Sequence, residues 1–169
     1  MRATFRRAWL AVLMGGTACT AFAEFDASAT FAPIDACIDA ALQQQDGMVI
    51  QWQMKKPDDP SVDLQLLAPD NRVYTMTCKD GKVTAPARKA GQKNYEMLKG
   101  RAKVLEKPAR FTAVTSYPIA EVRRMSYDLS WKGRPYYTYE MVTADGREAT
   151  VDVNADTGQV DRSKSERKN

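Results

Sequence analysis

Two stretches of this chain follow one plan of strand, turn, strand, turn. Leu64 to Val83 states it, and Lys132 to Val160 states it again. Asp70-Asn71-Arg72 falls on Asp145-Gly146-Arg147 at an offset of 75 residues, and the closing valines Val83 and Val160 at 77. The difference is a two-residue insertion in the last turn. A degenerate tandem repeat constrains the fold strongly, because each copy is one supersecondary unit that must find cover for the apolar face of its sheet.

The cover in the first copy is a helix. Ile34, Cys37, Ile38, Ala41 and Leu42 fall at i, i+3, i+4, i+7 and i+8, an apolar stripe, with Pro33 in the first turn and Asp46-Gly47 ending the run. From Met48 the period becomes two. Met48, Ile50, Trp52 and Met54 alternate with Val49, Gln51 and Gln53, and after the loop Lys55 to Ser61 the set Val62, Leu64, Leu66 continues the pattern, then Tyr74, Met76, Cys78. The second copy places Met125, Tyr127, Leu129 and Trp131 on one face, then Tyr137, Tyr139, Met141, then Ala149, Val151, Val153, with turns at Lys132-Gly133-Arg134 and Ala144-Asp145-Gly146. Its helix is expected over Asn94 to about Glu106, with Met97, Ala102 and Leu105 partly in phase and Gly100 interrupting. The class is α+β.

Residues 1 to 23 have a basic start (Arg2, Arg6, Arg7), an apolar run from Ala8 to about Met14 and the small-residue ending Ala21-Phe22-Ala23. This is the pattern of a cleavable secretory signal, with cleavage expected between Ala23 and Glu24. The apolar run is far short of the ~20 residues of a membrane span, so no transmembrane anchor is expected, and Gly16-Thr17-Ala18 before Cys19 is unlike a lipoprotein signal. Loss of the three arginines brings the basic count from 25 to 22 against 21 acids, so the precursor's charge of +4 is poor support for nucleic-acid binding. Cys37 and Cys78 then remain as a pair. In an oxidising periplasmic or extracellular setting they are expected to form a disulfide.

Between the copies, Thr84 to Arg110 carries Arg88, Lys89, Lys93, Lys99, Arg101, Lys103, Lys107 and Arg110 against Glu96 and Glu106. Such a run can face lipid head groups, an acidic partner or polysaccharide; the plainer expectation is a solvated connector plus the outer face of a helix. It lacks the interleaved aromatics of a nucleic-acid platform. The polar tail, residues 161–169, is expected to be disordered.

A helix followed by a three-stranded antiparallel sheet, with Gly133-Arg134-Pro135-Tyr136-Tyr137 leading into the middle strand, Asp145-Gly146-Arg147 at the next turn and Asp156-Thr157-Gly158-Gln159-Val160 at the close, resembles the PepSY family. The resemblance is strong over about Val122 to Val160 and weaker over Ile34 to Val83. Departures are the turn Pro69-Asp70-Asn71-Arg72 and Cys78 in the first copy, and the extra segment Phe111 to Tyr117 in the second. The expected organisation is therefore a signal peptide at 1–23, two helix-plus-antiparallel three-stranded-sheet PepSY-like units in tandem at 24–83 and 111–160, a connector with the second unit's helix at 84–110, and the tail. The resemblance implies exported or membrane-tethered modules, found in propeptides of thermolysin-like metallopeptidases and as stand-alone envelope proteins, that bind and restrain peptidases. It brings no catalytic residues, and a shared fold names no target.

The residues point the same way. The chain has no histidine, which removes the commonest general base, the Ser-His and Cys-His arrangements and the usual zinc ligand set. Asp156-Thr157-Gly158 imitates an aspartic-peptidase triplet but occurs once, where that chemistry needs two, and it reads as a turn. Asp152, Asn154 and Asp156 imitate the start of a calcium loop, without its glycine and closing glutamate at the required positions. Trp131, Tyr136, Tyr137 and Tyr139 could form a sugar or peptide platform, but alternation sends all except Tyr136 into the core. No metal, cofactor or catalytic residue is assigned. The expected role is a non-enzymatic protein that binds another envelope or secreted protein, such as a peptidase, through a sheet edge or the outer polar face of a sheet. The alternative is a module sensing a small ligand or envelope stress through the hollow between helix and sheet or through the basic connector.

Overall fold

The computed structural model describes residues 27–56, 59–117, 121–143 and 145–166. The segment 1–23 expected to be a secretory signal, its expected cleavage point and Cys19 lie outside the described residues. The chain runs α1 (Ala27–Gln44), β1 (Met48–Lys56), β2 (Asp59–Leu67), β3 (Arg72–Lys79), β4 (Lys82–Val83), β5 (Ala87–Gln92), α2 (Tyr95–Lys99), α3 (Glu106–Ser116), β6 (Glu121–Leu129), β7 (Pro135–Val142), β8 (Glu148–Asn154) and β9 (Val160–Glu166). The architecture is α+β.

All the strands form one antiparallel sheet in the order β4-β3-β2-β1-β6-β7-β8-β9, with β5 paired to β3. Strands β1 to β3 and β6 to β8 are two consecutive meanders. They meet side by side through β1 and β6, with Gln51 opposite Ser126, Trp52 opposite Met125 and Gln53 opposite Arg124. The period-two pattern explains why one sheet has two unlike faces. An inner row of buried residues, Met76, Leu64, Trp52, Met125, Tyr139 and Val151, crosses six strands in register. The helices cover it: Phe31, Ile34, Cys37 and Ala41 of α1, Tyr95 and Leu98 of α2, and Ala109, Ala113 and Val114 of α3 join the same core.

Turn chemistry fixes the connections. Gly47 is required between α1 and β1, because a Cβ there would stand 2.6 Å from the Leu67 carbonyl oxygen. The β6–β7 hairpin closes through Gly133 N–H donating to the Ser130 carbonyl at 2.8 Å, with Gly133 at φ 72°.

Four expectations need correction. The helix expected over Asn94–Glu106 is broken at Gly100 into the short α2, and the longer helix is α3, which takes in most of the stretch read as an extra segment, Phe111 to Tyr117. The connector 84–110, expected to be solvated apart from the second unit's helix, also holds the strand β5. Helix α1 begins before Pro33, which lies exposed inside it. The tail is not wholly irregular: Val160–Glu166 pairs with β8 as an edge strand. Edge pairing needs only backbone groups, so β9 forms with Arg162, Lys164 and Glu166 along it, the charges that blunt a sheet edge against further strands.

Candidate functional site

The face of the sheet turned away from the helices carries the other half of each alternating strand. Ala87, Thr75, Gln65, Gln51, Ser126, Thr138, Asp152 and Arg162 stand opposite one another in a single row from β5 to β9. A second row, Thr77, Asp63, Gln53, Arg124, Glu140 and Thr150, runs beside it. Cross-strand bonds order these side chains. Thr77 Oγ1 donates to Asp63 at 2.7 Å, Thr138 Oγ1 donates to Asp152 at 2.7 Å, and Arg162 pairs with Asp152 at 3.4 Å. The result is a surface of hydroxyls, amides and paired charges.

At least two grooves lie on this face. One, of about 440 Å³, is bordered by Gln51, Gln53, Asp63, Gln65, Thr75 and Thr77. The other, of about 590 Å³, runs from Thr138, Thr150 and Asp152 past Tyr136 to Trp131 and Arg134 in the β6–β7 hairpin and Arg162 on β9. Trp131 is 90% exposed, against the expectation that alternation buries it with Tyr137 and Tyr139. Strand β6 ends at Leu129, so Trp131 belongs to the hairpin and the alternation no longer applies to it. Lys132 Nζ lies 4.7 Å from its ring centroid. Tyr136 does turn to the outer face, half-buried; burial, then Asp128 and Asp152, push its phenol above the usual tyrosine range. Tyr137 and Tyr139 are core residues that donate to the carbonyls of Val104 and Glu106 at 3.1 and 3.0 Å.

The remaining singled-out residues have structural partners. Asn154 accepts from the N–H groups of Asp156 and Thr157 at 2.8 and 3.1 Å, Gly158 has φ 76°, and Asp156 pairs with Lys103 at 2.7 Å. Asp156-Thr157-Gly158 is thus a turn between β8 and β9. Cys37 of α1 is joined to Cys78 of β3 by a disulfide, with Cα atoms 5.7 Å apart. Among the described residues no group of three or more His, Cys, Asp or Glu is placed to hold a metal ion, and no helix is long and apolar enough to cross a membrane.

The basic segment separates into different environments. Arg88 and Lys89 are exposed on β5, whereas Arg110 is 1% exposed, bonded to Asp35 of α1 and 3.5 Å from Glu106. Its neighbours also include Trp52, whose indole N–H donates to Glu106 at 3.2 Å. Counting charges along the segment misses this buried group. The available signal was its place beside Ala109, Ala113 and Val114 on the inner stripe of α3.

Residues 87–160 match the family model PepSY, described as peptidase propeptide and YPEB domain. The matched stretch runs from β5 to the first residue of β9; Ile34 to Val83 lie outside it. No curated protein matches the chain. A crystal structure from Clostridium difficile 630, described as a "putative lipoprotein", is similar at 15% identity and TM-score 0.46, over 72% of this chain and 84% of that one.

Proposed function

We propose, from the premise that this chain carries a PepSY domain over residues 87–160, that it is an exported, non-catalytic protein that binds another envelope or secreted protein and restrains a peptidase. The observation that carries this reading is the open outer face, whose cross-strand rows are mostly hydrogen-bonding side chains and whose groove runs from Thr138 and Asp152 along to the exposed Trp131. Such a face can accept an extended segment across its polar rows, with an aromatic at the end to anchor it. The Cys37–Cys78 disulfide supports an oxidising compartment. The absence of histidine from the chain and the turn and strand partners of Asp152 and Asp156 support a binding role over a catalytic one. The open face is preferred to the β9 edge, whose sequence carries Arg162, Lys164 and Glu166. It is also preferred to a small-ligand hollow between helices and sheet, which is filled by Trp52, Met125, Tyr139 and Ala113.

The test is capture from envelope extract on the processed protein, followed by a rate assay on any retained peptidase. Wild type is expected to hold the peptidase and slow its cleavage of a peptide substrate. Trp131→Ala with Arg134→Ala, both exposed positions, is expected to melt like wild type and lose both effects. Capture of no peptidase, or capture indifferent to the two substitutions, sinks the reading.

A further inference from the structure

On the helical side of the molecule the basic segment meets a row of exposed apolar groups. Leu105, Pro108 and Phe111 fall at i, i+3 and i+6 along α3 and its N-cap, a spacing at which successive side chains are neighbours. Leu105 is 73% and Phe111 58% exposed, and Pro108 is exposed between them. The opposite stripe of α3, Ala109, Arg110, Ala113 and Val114, is buried against the sheet, so the ridge points away from the protein and from the open outer face. Lys107 lies on the same helix, and the exposed cations Lys99, Arg101 and Lys103 precede it in α2 and the turn that leads into α3. From Tyr95 to Ser116 the two carboxylates in the sequence are Glu96, exposed in the first turn of α2, and Glu106, which turns inward to Trp52 and Arg110, against five Lys or Arg. Lys103 and Lys107 touch Asp156 and Asp35, yet keep 75% and 71% of their side chains in solvent.

We propose that this α2–α3 corner docks on an anionic bilayer surface, with Leu105, Pro108 and Phe111 in the interfacial layer and Lys99, Arg101, Lys103 and Lys107 on the head groups around them. An apolar ridge with exposed cations on and just before its helix matches such a surface in both chemistry and charge: apolar burial and headgroup attraction add, and neither suffices alone at this size. Single exposed apolar residues are common on any surface, but here Leu105, Pro108 and Phe111 follow one another on one helix face and make a contiguous patch. Docking there would hold the sheet's outer face away from the membrane, toward a partner.

The experiment is sedimentation of the processed protein, recovered from the periplasm of an expressing bacterium, with phosphatidylcholine vesicles containing about one third phosphatidylglycerol and with phosphatidylcholine alone. Binding to the anionic vesicles is expected to fall as salt is added, and to weaken by about tenfold or more in Leu105→Ala with Phe111→Ala. Lys99→Gln with Arg101→Gln is expected to weaken it as well, which keeps the test decisive if the apolar variant folds poorly. Absence of binding, equal binding to uncharged vesicles, or variants that bind like wild type would overturn the proposal. Trp131→Ala leaves vesicle binding unchanged, so loss of partner capture and loss of membrane docking are separable failures.

Discussion

Arg110 and its carboxylates are where charge enters the core, and they set opposite dependences on pH. Burial raises Glu106 above the usual glutamate range, although Arg110 and the Trp52 N–H act against it. The folded protein then binds this proton more tightly than the unfolded chain. Its contribution is present at acid pH and is lost as pH rises through the raised pKa. Burial also pushes Asp35 upward, but the hydrogen bonds and charges of Lys107 and Arg110 outweigh it and hold the group below its ordinary value. That contribution is present at neutral pH and is lost as pH falls through the depressed pKa. Glu106→Gln removes the first effect, keeps an acceptor for Trp52 and leaves Asp35 in place. In urea titrations at about pH 4 and about pH 7, the stability of the variant relative to wild type is expected to improve at the higher pH. A difference that does not change with pH would mean that Glu106 is not desolvated in solution as the structure places it.

At the scale of elements, the disulfide ties α1 to β3 across 41 residues of sequence. Both cysteines are buried in the interface between helix and sheet, so their replacement by serine removes a constraint on the unfolded chain and adds two hydroxyls to an apolar layer. The double variant Cys37→Ser, Cys78→Ser is expected to lose about 3 to 4 kcal/mol from loop closure alone, read as a lower urea midpoint. An unchanged midpoint would show that the bond adds nothing to the fold. Helix α1 and the six meander strands were legible because their apolar residues are large and periodic. Helix α3 was not, since its buried stripe is Ala109, Arg110, Ala113 and Val114: small residues and a cation carry little hydrophobic signal, while Leu105 and Phe111 advertise the wrong face. Strand β9 was hidden for a related reason, because backbone pairing at an edge leaves no mark on side chains as polar as Arg162, Lys164 and Glu166. Of the candidate site, Tyr136 was readable from alternation, whereas Trp131 was not, since it depended on where β6 stops.

For the whole molecule, the question is whether the two meanders behave as one body. The backbone seam between β1 and β6 is short, with three paired positions. The side chains bind the halves more firmly. Trp52 is wholly buried at the seam between Leu64 and Met125, and its indole N–H reaches Glu106 on the helix that packs against β7 and β8. Asp35 of α1 pairs with both Lys107 and Arg110 of α3. Parting the halves would expose Trp52 and leave Arg110 without Asp35, and breaking a buried ion pair is among the costlier changes a core can suffer, about 3 to 5 kcal/mol. The open face has the same dependence, because its first row is continuous from Ala87 to Arg162 only while β1 and β6 stay paired. A single unfolding transition is therefore expected. In protein spanning residues 24–169 and carrying Trp131→Phe, Trp52 is the sole tryptophan, so its fluorescence reports the seam while far-ultraviolet circular dichroism reports the whole sheet and helices. Urea curves from the two probes should superimpose; a fluorescence change that completes before the dichroism change would mean that the seam opens first and that the two meanders are separable bodies.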